Sequence, residues 1–135
     1  MQLARLDEVV ARRRAIARRY QAGLGDVPGM RCVTDPAHGL SNYQSFWIEV
    51  LDDYPLSREG LLTHLADHEI SARRGIMAAH RQRPFRHLDH APLPVTERLT
   101  DRTLILPVFH QMTDAQQDRV IDALRAPGGR SDRGA

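Results

Sequence analysis

The segment Asn42–Leu51, NYQSFWIEVL, constrains the fold more than any other part of the chain. β-branched and aromatic residues concentrate there, and it is the strongest strand signal in the sequence. Helical segments surround it at short spacing. Aromatic residues make up only 5% of the 135 residues, so a core built on this strand must be mainly Leu, Ile, Val and Ala. A chain of this length has room for one modest core.

Residues 2 to about 24 read as a long helix. Leu6, Val9, Val10, Ile16, Ala17, Tyr20 and Leu24 fall mostly on one side, and arginines spread around the rest. Gly23, Gly25 and Pro28 end it. Nothing before Leu3 can cap it, so the helix is expected to continue a chain that once extended upstream. MRCVT reads as a short strand, and Ser57 as the N-cap of a helix in REGLLTHLADHEI. APLPVTERLTDRT predicts a short helix and LILPVF a short strand. Thr113 and Gln116 form a capping box for a last helix carrying Val120, Ile121 and Leu124. The order helix, strand, strand, helix, strand, helix, strand, helix predicts an α+β layer. Its expected form is a small, largely antiparallel sheet with helices on one face. Residues 126–135, rich in Gly and charge, are expected to be a disordered tail.

SARRGIMAAHRQRPF, residues 71–85, fits none of these patterns. It has neither helical period nor strand alternation, and its two arginines, small residues and histidine suit contact with a ligand better than a core.

Several function classes are excluded or disfavoured. All 19 basic Lys or Arg residues are arginine, so the chain supplies no lysine for a Schiff base or a proton shuttle. No apolar run reaches the ~20 residues of a membrane span, and the first residues do not form a secretory signal. The single Cys32 fits a reducing compartment, so the cytoplasm is expected. His64 and His68 have the i, i+4 spacing of a zinc pair, and His87 and His90 make a second near pair. No thiol cluster or adjacent glutamate completes a metal motif, and surface histidines are the expectation. RRRAIARR could grip phosphates, but the net charge is only +2 and no nucleic-acid module is visible, so no nucleic-acid partner is expected.

Read together, four segments resemble the C-terminal small domain of the DegT/DnrJ-type sugar aminotransferases. They are QLARLDEVVARRRAIARRY, NYQSFWIEV, REGLLTHLADHEISARRGIMAAHRQRPF and LPVTERLTDRTLILPVFHQMTDAQQDRVIDAL. The last contains the string E-R-L-x-x-R-x-L-x-L-P over residues 97–107. The resemblance implies a small domain over residues 1–125, with residues 1–24 as the inter-domain helix. It also implies the fold of the C-terminal domain of fold-type I pyridoxal phosphate (PLP) enzymes.

In that family an amino group passes through PLP to a nucleotide-linked keto sugar, and the loop after the small-domain helix faces the substrate. The implied substrate residues are His80, with Arg73 and Arg74 for a diphosphate and Asn42 or Gln44 for the sugar. The alternative for Arg73 and Arg74 is pairing with Asp67 or Glu69. The PLP lysine and its domain are not in this chain. The resemblance therefore implies PLP in a complete enzyme, no cofactor for this chain alone, a missing large domain as partner, and a homodimer in complete form. A catalytically inactive, stand-alone binding module is the competing expectation.

Overall fold

A computed structural model describes residues 3–127 of the chain. Eight main elements follow in the expected order. They are α1 (Leu6–Leu24), β1 (Met30–Cys32), β2 (Phe46–Val50), α2 (Arg58–Asp67), β3 (Arg73–Arg74), α3 (Pro94–Arg102), β4 (Thr103–Leu106) and α4 (Asp114–Arg125). Single 3-10 turns occupy Leu3–Arg5 and Ala79–Arg81. Residues 128–135, most of the expected tail, lie outside the described residues.

The four strands form one antiparallel sheet in the order β1-β2-β4-β3. Phe46 pairs with Leu106 and Ile48 with Leu104. Alternation along the strands therefore sets Phe46, Ile48, Val50, Leu104 and Leu106 on one face, and all five are buried. α1, α2 and α4 cover that face with Ile16, Tyr20, Leu24, Leu61, Leu65, Val120 and Leu124. The Tyr20 and Phe46 rings lie 5.1 Å apart.

The helices are not all on one face. α3 sits across the other one, where Arg98 lies 3.5 Å from the buried Glu49 carboxylate and Leu99 packs near Trp47 and Thr103. The reason is the register: Glu49 pairs with Thr103, so the side chains between the core positions point toward α3. Arg31 forms a second ion pair with Glu49 from the neighbouring strand.

Local signals held at the helix starts. The Ser57 side chain accepts from the Gly60 amide at 3.2 Å. Thr113 and Gln116 form both bonds of their capping box, at 2.9 and 3.2 Å. α1 begins with no side-chain cap. Its apolar stripe is buried only from Ile16 onward, because α4 packs against that half, and Leu6 stays 51% exposed. Polar staples join the two ends of the chain. The buried Gln117 amide donates to the Ile16 carbonyl at 2.7 Å, and Arg125 bonds both the Gly23 carbonyl and Asp26.

Candidate functional site

The open end of the sheet, where β2 begins and β4 ends, carries a cavity of about 390 Å3. It is walled by Gln44 and Ser45 ahead of β2, by Ser71, Ala72 and Arg73 at the edge strand, and by Ile105–Phe109. Pairing explains the meeting. β4 lies between its two neighbours, with Phe46 opposite Leu106 and Arg73 opposite Ile105, so residues 44 and 73 flank the same end of the central strand. Pro107 follows β4 immediately and has no amide hydrogen to continue the ladder. A second cavity of about 200 Å3 shares Ser71, Pro107 and Phe109 with the first and is walled by Ile70, Met112 and Val120.

Two of the five sequence-predicted site residues, Gln44 and Arg73, therefore line one cavity. Arg73 has no carboxylate partner among the described residues, while Arg74 donates to Glu59 at 2.9 Å. That bond holds the Glu59 carboxyl below the usual carboxylate range, with Arg58 adding to the effect. Arg74 lies opposite Leu104 on the side of the sheet that α2 covers, and its partner is Glu59 in the first turn of that helix, whereas Asp67 stands at the helix's other end. Asn42 is exposed, and its Oδ1 accepts from the Gln44 amide at 3.0 Å, a local turn that shapes the approach to β2. Tyr43 within this turn has a φ of 46° and a buried side chain.

His80 stands elsewhere. It lies on the 3-10 turn Ala79–Arg81, and its Nε2 is 3.1 Å from Glu97 Oε1 on α3. Its ring packs against His90 with centroids 4.5 Å apart. The segment between Gly75 and Pro94 also exposes Ile76, Met77, Phe85, Leu88 and Leu93.

The zinc-like pair is spent on backbone. His64 Nε2 bonds the Ala123 carbonyl at 2.9 Å and His68 Nδ1 bonds the His64 carbonyl at 2.8 Å. Among the described residues no group of three or more His, Cys, Asp or Glu is placed to hold a metal. No helix there is long and apolar enough to cross a membrane. Cys32 is half-buried, and burial pushes its thiol up to about 11.

Sequence reasoning missed Ser71, Phe109 and Glu97. Ser71 opens the irregular stretch that the sequence already set apart. Phe109 gave no periodic or motif signal of its own, and Glu97 stood only as the first residue of the 97–107 string, because the roles of both arise only when β4 and α3 are in place.

Comparison with known proteins identifies relatives of the chain. The chain is 36% identical over 127 residues to the dTDP-3-amino-3,4,6-trideoxy-alpha-D-glucose transaminase of Micromonospora megalomicea subsp. nigra, a match covering 91% of this chain and 33% of that protein. It superposes on DesI, solved in the presence of its TDP-sugar product, with a TM-score of 0.84 and 33% identity, over 91% of this chain and 32% of that one. The aminotransferase TlmJ from Streptoalloteichus hindustanus gives a TM-score of 0.81 at 33% identity, over 92% and 33% of the two chains. The chain spans about a third of the length of these relatives. Residues 1–125 match a family's sequence model, and the chain belongs to that family: the DegT/DnrJ/EryC1/StrS aminotransferase family.

Proposed function

We propose that this chain serves as the small domain of a PLP-dependent aminotransferase acting on a nucleotide-linked keto sugar, and that it contributes substrate contacts in the cytoplasm. The observation that carries the reading is the cavity at the open end of the sheet, where Arg73, an arginine with no carboxylate partner among the described residues, and an amide side chain, Gln44, converge. A guanidinium free of a carboxylate can take a diphosphate oxygen pair, and an amide can bond sugar hydroxyls. His80 supplies a further contact from the loop after β3.

The residues present do not fit the cofactor itself. PLP is held in such enzymes through a lysine imine, and this chain has no lysine. The amino-transfer chemistry belongs to a large domain, on the same polypeptide or on a separate one, and the complete enzyme works as a homodimer. This chain's share is to bind and orient the sugar nucleotide.

The test is the intact mass of the native protein, captured from its own cells with an antibody against this domain. The captured material is then assayed for amino transfer to a thymidine-diphosphate keto sugar. A product well above 15.3 kDa, or a co-captured lysine-bearing chain, with that activity supports the reading. A lone 15.3 kDa product without activity overturns it and leaves a stand-alone binding module.

A further inference from the structure

His80 is held by a carboxylate, not merely near one. Its side chain is 11% exposed, its Nε2 meets Glu97 Oε1 at 3.1 Å, and the His90 ring covers it at 4.5 Å. A carboxylate at neutral pH only accepts, so the proton of the neutral imidazole must sit on Nε2. The lone pair is then on Nδ1. Nothing among the described residues donates to Nδ1, and that atom is not sealed from solvent. Glu97 is itself fixed. Its other oxygen lies 3.4 Å from Arg81, which in turn bonds Asp101 at 2.7 Å, one turn further along α3.

From this arrangement we infer that Glu97 is a positioning residue for His80. It selects the tautomer and ring orientation that leave Nδ1 as a hydrogen-bond acceptor for a hydroxyl of the sugar. This assignment rests on the reading of His80 as a substrate contact and adds what that reading lacks, namely the direction of the bond. An Nδ1 acceptor selects a ligand group carrying a hydrogen and disfavours an oxyanion. The phosphates therefore belong at Arg73 and the sugar hydroxyl at His80. Arg81, itself bonded to Asp101, gives the second Glu97 oxygen a partner of its own and so favours the orientation in which the first oxygen faces His80.

The experiment is ring-nitrogen NMR on the 135-residue chain with labelled histidines at pH 8, with His80→Asn identifying the His80 signals. In the wild type, His80 should be a single Nε2–H tautomer. Glu97→Ala should give a mixture of tautomers, and Glu97→Gln should retain the wild-type form through its amide oxygen. The other six histidines report that the fold is intact in each variant. Adding thymidine-diphosphate glucose should shift His80 Nδ1, and Glu97→Ala should weaken that binding about three- to tenfold, the loss of one oriented hydrogen bond. An Nδ1–H tautomer in the wild type, or an unchanged tautomer in Glu97→Ala, overturns the role of Glu97. A correct tautomer response with no Nδ1 shift on adding the sugar nucleotide overturns the substrate reading of His80 instead.

Discussion

Arg73 and Arg74 are consecutive in sequence but stand on opposite faces of the sheet, Arg73 opposite Ile105 and Arg74 opposite Leu104. Only Arg73 of the two lines the cavity. Arg73 borders the 390 Å3 cavity, whereas Arg74 is tied to Glu59. Arg73→Ala should therefore weaken sugar-nucleotide binding by about tenfold or more, as expected for losing a charged hydrogen bond. Arg74→Ala should leave that binding within about twofold, since exposed ion pairs contribute little. Isothermal titration of both variants checks the contrast, and equal losses would falsify it.

Arg74→Ala has a readout of its own. The Arg74 hydrogen bond is the largest cause of the lowered Glu59 pKa, followed in favour by Arg58. A depressed carboxyl contributes stability above its unfolded pKa, and that contribution disappears as pH falls through the folded value. Carboxyl NMR titration should show Glu59 moving up toward the ordinary range in the variant, while remaining somewhat depressed by Arg58.

Burial works in the opposite direction at Cys32, pushing its thiol up to about 11, and it raises the Tyr54 hydroxyl to about 12 for the same reason. The unfolded chain loses these protons first, so stability is complete below the unfolded thiol pKa and declines as pH rises through the folded values. Alkylation of native Cys32 should be slow at pH 8 and rise steeply toward pH 11. Urea at pH 8 should accelerate it. A thiol that reacts at the rate of a free cysteine in native buffer contradicts the burial.

Tyr54 also holds α4. Its hydroxyl donates to the Leu124 carbonyl at 2.7 Å in a buried setting. Tyr54→Phe removes the side-chain donor that the Leu124 carbonyl has among the described residues, at a cost of about 1–3 kcal/mol. Equilibrium urea denaturation should show the loss as a lower midpoint with an unchanged slope.

Gly75 is required for a close approach. A Cβ there would lie 1.9 Å from Thr103 Oγ1 and 2.9 Å from its Cβ, while the Gly75 amide bonds the Thr103 carbonyl at 3.0 Å. Gly75→Ala should push β3 away from β4 and cost about 1–3 kcal/mol. Faster amide exchange at residue 75, with α4 amides unaffected, would locate the damage at the sheet edge.

Much of this fold is written locally. Ser57, Thr113 and Gln116 announce their helices through bonds within four residues, and the aromatic, β-branched run around Trp47 announces its strand. The placement of α3 was not legible, because nothing in PVTERLTDR reveals that Glu49 waits on the far face for Arg98. The same holds for the candidate site. Arg73 and Gln44 could be nominated from resemblance, but their sharing a cavity depends on β4 pairing between distant segments. The separation of Arg73 from Arg74 needed only the two-residue period of a strand, once that stretch was known to be one. Glu97 was hidden because its partner lies 17 residues away across a loop.

The bonds from Gln117 to Ile16 and from Arg125 to Gly23 and Asp26 also set a timetable. The covering for Tyr20 and Leu24 is synthesised about 100 residues after them, since Val120 and Leu124 belong to the same core. At about 5–20 residues per second, the apolar half of α1 waits roughly 5–20 s on the ribosome for its partner helix. During that interval it is a ready target for chaperones, and a ribosome that stalls before residue 120 releases a chain with no closed core.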